Sequence, residues 1–192
     1  MTISIRDVRE ADLPQVLALN NAAGPTILSL SPEKLRFFFD EAVYFRVAEA
    51  EGQVIGFLIA MDQGSHYTSS NFLWFKEHYP AFIYIDRIVV DSAQRGAGLG
   101  RVLYADVTSF AEVRAPLLAC EVFLQPRNDA VLLFHGTSGF QEVGQQVMTE
   151  NGLPVSLLVK ELSSFPWVRE RYAGKLPDVP WLADRPRNVT GA

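Results

Sequence analysis

Ile3 to Val8 alternates apolar and polar residues, the period of a half-buried strand. A helix is predicted next, with Asp12 as its cap, Pro14 in its first turn, and Leu13, Val16 and Leu17 on one face. Ser31-Pro32-Glu33 starts a second helix: a capping hydroxyl, a proline preset for the first turn, and an acid favoured by the helix dipole. Its apolar stripe is Leu35, Phe38 and Phe39. Val43 to Ala50 and Val54 to Met61 read as strands of a hairpin turning at Glu51-Gly52. Residues 63 to 80 break the pattern, polar at first and then densely aromatic, and read as a loop. Ala81 to Val90 is a strand rich in Ile, Val and Tyr. From Leu99, the spacing of Val102, Leu103, Val107, Phe110 and Ala111 predicts a helix that stops near Pro116. Leu117 to Leu124 is a strand, and 128–138 a short helix capped by Asn128 and ended by Gly139. Val143 to Thr149 and Val155 to Glu161 close the pattern as a hairpin across Asn151-Gly152.

This order predicts an α/β domain of the α+β type, with a mixed, largely antiparallel sheet flanked by helices over residues 1–162. Residues 163–192 differ in kind. Pro166, Pro177, Pro180 and Pro186 argue against regular structure, while Trp167, Tyr172 and Trp181 suggest an extension that docks on its own domain or on a partner subunit.

Composition narrows the function. Nearly half of the 192 residues are apolar, enough for a sizeable core. A net charge of -5 with no basic stripe argues against nucleic acid as a partner. Mild acidity suits a cationic substrate and is also ordinary for an enzyme. Cys120 is the only cysteine, which excludes an intramolecular disulfide and a cysteine-based zinc site. His66, His78 and His135 have no ligand spacing, so no metal is expected. The first residues lack the apolar core of a signal peptide, and no apolar run is long enough to span a bilayer. A cytoplasmic enzyme without membrane partners, possibly a homodimer, is the expectation.

The chemistry concentrates between the strand ending at Val90 and the helix starting at Leu99. Asp91-Ser92-Ala93-Gln94-Arg95-Gly96-Ala97-Gly98-Leu99-Gly100-Arg101 has three alternating glycines beside two arginines. Such a turn brings backbone N–H groups close to an anion, and the following helix points its positive end at the same place. A dinucleotide fingerprint fails, because counting from Gly96 and Gly98 puts Arg101 at the third glycine position. A Walker loop fails because Arg101 also stands at its second glycine. The spacing R-x-x-G-x-G, from Arg95 through Gly98 and Gly100, resembles the cofactor motif of the GNAT superfamily of N-acyltransferases. Ile85-Asp86-Arg87-Ile88-Val89-Val90 is similar to that family's preceding strand, and Asn128 through Gly139-Phe140 to its Asn-led helix. The element order to about Leu162 is similar as well.

The resemblance implies a splayed central strand pair and acetyl-CoA as acyl donor. It implies that Arg95, Gly96, Ala97, Gly98, Leu99, Gly100 and Arg101 hold the pyrophosphate, that Ile88, Val89 and Val90 pair with the pantetheine arm, and that Asn128 and Phe134 line its thiol end.

Amine acylation by a thioester needs a base for the ammonium and an acid for the leaving thiolate. Glu121 stands in an otherwise apolar run, where burial raises a carboxylate toward neutrality; it is a base, as in many members of the family, or a structural carboxylate paired with Arg87 or Arg46. His135, seven residues after Asn128, stands where many members carry the tyrosine that protonates the thiolate; it is that donor or a solvated helix-face residue. Asp86 is a third candidate, or half of a local ion pair with Arg87. Cys120 should face opposite to Glu121 and be core. Tyr67, Phe72, Trp74 and Phe75 are acceptor-side candidates, to wall off an apolar acceptor or hold a cation, unless they form a plain hydrophobic lid or a dimer contact.

The expected activity is acetyl transfer to a primary amine of a small molecule by direct attack in a ternary complex. Rival readings are a non-catalytic acyl-CoA sensor, a protein lysine or N-terminal acetyltransferase, and a nucleotide-binding domain.

Overall fold

In the computed structural model, which describes residues 2–25, 27–172 and 175, the alternating N-terminal segment forms strand β1 (Ile3–Asp7). Helices α1 (Leu13–Ala22) and α2 (Pro32–Glu41) follow, then the hairpin of β2 (Tyr44–Ala50) and β3 (Gln53–Asp62). Helix α3 (Ser70–His78) leads into β4 (Ile83–Val90), α4 (Leu99–Ala111), β5 (Leu117–Phe123) and α5 (Asp129–Thr137). Strands β6 (Gln141–Val147) and β7 (Pro154–Glu161) and helix α6 (Phe165–Tyr172) complete the described chain.

The local signals act as expected at most ends. Ser31 Oγ accepts from the Lys34 N–H at 3.1 Å, and Asn128 Oδ1 from the Val131 N–H at 3.2 Å. Glu51 and Gly52 both have positive φ, 52° and 79°, as a two-residue hairpin turn requires. Asp12 is a correction: its carboxylate accepts from the Arg9 N–H at 2.7 Å and from Arg6, closing a single helical turn at Glu10–Asp12 instead of capping α1.

Among the described residues the sheet has seven strands in the order β1-β2-β3-β4-β5-β7-β6, and every pairing is antiparallel except β4 with β5. Helices cover both faces, so β2 and β3 are buried almost continuously instead of alternating. On one face Val16, Leu35, Phe38, Phe72 and Phe75 pack from α1, α2 and α3. On the other, Leu99, Leu103, Val107 and Phe110 pack from α4. A half-buried polar group clamps α4 to β2: Asp106 accepts from the Tyr44 hydroxyl at 2.5 Å and from Arg46 at 2.9 Å. This clamp holds the helix that follows the glycine loop.

Two segments depart from the pattern. Residues 70–78, expected as loop, form α3, because Phe72 and Phe75 lie three apart on one helical face and both reach the core. A nine-residue helix shows too little periodicity to stand out among so many aromatics. The extension begins as helix too. Pro166 falls in the first turn of α6, where a missing N–H costs nothing. Phe165 packs against the α4-side core, Val168 is buried, and Ser164 Oγ donates to Glu112 at 3.0 Å. Trp167 is exposed; Pro177, Pro180, Trp181 and Pro186 lie outside the described residues. Among the described residues no helix is long and apolar enough to cross a membrane.

Candidate active site

Strands β4 and β5 pair only at Ile83–Leu118 and Tyr84–Ala119 and then part. Beyond that point the facing edges of Ile85–Val90 and Cys120–Phe123 have no strand partner, and a cavity of about 610 Å³ lies between them. A bulge in β4 aids the parting. Arg87 pairs with Ile59 and Ile85 with Ala60, leaving Asp86 as an extra residue. Two consecutive side chains therefore reach the α1–α3 face, Asp86 toward Tyr67 and Arg87 toward Asn20 and Phe38.

The α4–α5 side of the cavity carries the glycine loop. Gly96 and Gly98 have φ of 82° and 85°, and a Cβ at either would meet nothing within 4 Å, so the loop backbone is open. At the start of α4 the Arg101 and Val102 N–H groups share the Gly98 carbonyl, and the Leu99 and Gly100 N–H groups have no carbonyl one turn back among the described residues. Arg95, Gly96, Gly98, Leu99, Gly100 and Arg101 line the cavity; Ala97 does not, its N–H donating back to the Gln94 carbonyl. A Cβ at Gly100 would meet the Phe134 ring at 3.2 Å, so this glycine lets α5 close against α4. Ile88, Val89, Val90, Asn128 and Phe134 also line the wall. The residues present thus fit a pyrophosphate followed by an amide-bearing arm laid along the free edge of β4.

Gly98→Ala is expected to strain the left-handed turn by about 1–2 kcal/mol. Calorimetric titration with coenzyme A should show the affinity down about tenfold; an unchanged affinity would remove the loop from the binding site.

Deeper on this side lie Cys120, Tyr104 and His135. Cys120 faces the α4 core, opposite to Glu121, and burial pushes its thiol well up. His135 is buried and donates from Nδ1 to the Val131 carbonyl at 2.8 Å; burial lowers its pKa. Tyr104 packs edge-on to His135, and its hydroxyl has no hydrogen-bond partner among the described residues.

The α1–α3 side holds the acids. Glu121 Oε2 accepts from the Tyr84 hydroxyl at 2.5 Å and meets neither Arg87 nor Arg46. Burial first, then the Asp86 charge, push the Glu121 carboxyl up to about 7, outweighing the Tyr84 bond, the Asn71 side chain and the Arg87 charge. Asp86 is almost wholly buried and already engaged: Arg87 Nε donates to it at 2.6 Å and the Tyr67 hydroxyl at 2.5 Å. The ion-pair alternative for Asp86 is thus the observed one, inside the protein instead of at its surface.

Of the four aromatic acceptor candidates only Tyr67 lines the cavity. Phe72 and Phe75 are fully buried, and Trp74 packs on Gly144 and stacks on His78. Once the segment is helical, its period turns those rings into the core. Sequence reasoning passed over Tyr84 and Tyr104, whose apolar neighbours read as plain strand and helix interior. A buried hydroxyl needs a partner, and that was the available signal.

Solved structures share this architecture. The ribosomal-protein-S18-alanine N-acetyltransferase from Escherichia coli superposes with a TM-score of 0.65 at 17% identity, covering 84% of this chain and 94% of that one. Ard1 from Thermoplasma volcanium gives 0.67 at 16%, covering 84% and 99%. Arabidopsis thaliana NAA60 in complex with acetyl-CoA gives 0.66 at 15%, covering 83% and 99%. No curated protein matches the sequence. The family model described as Acetyltransferase (GNAT) family matches residues 13–140. With its glycine loop, parted strands and Asn-led helix in one cavity, the chain belongs to the GNAT acetyltransferase family.

Proposed function

We propose that the protein transfers an acetyl group from acetyl-CoA to a primary amine of a small molecule, by direct attack in a ternary complex. The observation that carries this is Glu121, a carboxylate between parted strands, raised to about 7 and free of any salt bridge among the described residues. A base poised near neutrality suits the removal of an ammonium proton.

Acetyl-CoA supplies the thioester. The loop N–H groups and Arg95 and Arg101 hold its phosphates, and the free β4 edge at Ile88 and Val90 pairs with its amide-bearing arm. Glu121 takes the ammonium proton from the α1–α3 side, and Tyr84 orients the carboxylate. As the new C–N bond forms and the C–S bond breaks, the departing thiolate takes a proton from the opposite wall. The Tyr104 hydroxyl, which burial keeps protonated, is the donor, with His135 packed edge-on beside it; burial disfavours the imidazolium form of His135. Cys120 takes no acyl group, because its thiol faces away from Glu121 and burial keeps it protonated.

The test is thiol release from acetyl-CoA with and without amine, with the acetylated product identified by mass spectrometry. Amine-dependent release should rise with pH through about 7 as Glu121 ionises. Tight acetyl-CoA binding with no amine-dependent release would instead support a sensor.

A further inference from the structure

Resting on that reading, we propose that the acceptor is a primary monoamine with a compact apolar body. The acids lining the cavity are Asp86 and Glu121. Asp86 is neutralised by Arg87 and bonded by Tyr67, which leaves Glu121 as the one uncompensated negative charge among the described residues that line the cavity. One ammonium therefore satisfies the site, and a second would be desolvated without a partner. Positive charge already stands behind the rim: Lys34 Nζ lies 4.3 Å from the Tyr67 ring centre and within reach of the Phe37 and Phe38 rings. Lys34 occupies that aromatic cage and repels another cation. The nearby Glu150 does not line the cavity, and its carboxylate accepts from the Ser70 N–H and hydroxyl at 2.6 Å each.

Beyond Glu121 and its polar neighbours Tyr84 and Asn71, the cavity carries a largely apolar collar. Ile27 and Leu28 come from the α1–α2 connection, Tyr67 from the β3–α3 connection, Phe123 from the end of β5, and Met148 from the β6–β7 turn. Ser69 adds the one aliphatic hydroxyl among the cavity-lining residues. The collar is also tied shut. Tyr67 packs on Phe37 and Phe38 of α2, and Ser70 at the start of α3 bonds Glu150 in the β6–β7 turn. A polypeptide entering here would press its amides against side chains that offer them almost no hydrogen bonds. An alkyl or aryl body buries well in the same place.

The experiment compares hexylamine and 2-phenylethylamine with 1,6-diaminohexane, kanamycin, a peptide with a free N-terminus and a lysine peptide, by thiol release at one acetyl-CoA concentration. Hexylamine should exceed its length-matched diamine about 100-fold in kcat/KM, with the peptides lower still. Equal or greater turnover of the diamine or a peptide overturns the monoamine assignment while leaving the transferase reading intact. No turnover of any amine overturns both. Leu28→Glu supplies the second arm, since Leu28 is 39% exposed and tolerates a charge. It should raise diaminohexane turnover and lower that of hexylamine, narrowing their ratio about tenfold; an unchanged ratio overturns the placement of the acceptor body in the collar.

Discussion

Glu121→Gln is expected to slow amine acetylation by about two to four orders of magnitude while making the protein more stable above neutral pH. Both effects come from one cause. Glu121 has a folded pKa of about 7 against an ordinary 4.5, so between these values the native state holds a proton that the unfolded chain has released. Stability therefore falls as pH rises from about 4.5 to 7, and the full cost, on the order of 3 kcal/mol, persists above 7. Glutamine keeps an oxygen for the Tyr84 hydroxyl and carries no charge, so it removes the cost with the base. The check is a pair of melting curves, at pH 5 and pH 8, beside the rate measurement. The variant's Tm should exceed the parent's at pH 8, with the gain small at pH 5. A variant that loses activity but is no more stable at pH 8 would show that the site does not strain the carboxylate. A variant that keeps parental activity would take the base role from Glu121.

Arg87→Met is expected to destabilise the protein by about 3–5 kcal/mol. The Arg87 and Asp86 side chains are only 7% and 3% exposed, so removing the cation strands a buried carboxylate. Bonds from Arg87 to Asn20 Oδ1 at 2.8 Å and to the Leu28 carbonyl at 3.2 Å go as well, together with its contact on the Phe38 ring. Adding Asp86→Asn should recover much of the loss, since the stranded charge disappears; chemical denaturation of the four members of the cycle measures the coupling. Additive losses in that cycle would mean that the two residues do not act as a pair. Any active Arg87→Met protein should show its pH–rate limb shifted upward, because the Arg87 charge favours ionised Glu121 while Asp86 opposes it.

The candidate site was legible where its signals are local. The glycine loop shows because Gly96, Gly98 and Gly100 occupy a few consecutive positions whose backbone requirements no other residue type meets as easily. Asn128 shows because a cap acts three residues away. Glu121 stands out because a charge within Leu117–Phe123 contradicts its surroundings. Asp86 was less legible. Its bonds run to Tyr67 and Arg87, and Arg87 turns inward only because a bulge spends one residue at that point. The aromatics at 72, 74 and 75 looked like acceptor contacts until α3 assigned them to the core.

By itself, the sequence determined the order of the elements apart from α3 and α6, the antiparallel character of the sheet and the glycine turn between β4 and α4, because periodicity and turn chemistry act over a few neighbouring residues. The tertiary structure decided which carboxylate is free. Glu121 and Tyr84 are 37 residues apart, and desolvation depends on what α3 and the parted strands bring around them. Charge balance at a buried site is a sum over distant segments, so only the folded chain could assign Asp86 to an ion pair with Arg87 and leave Glu121 outside it.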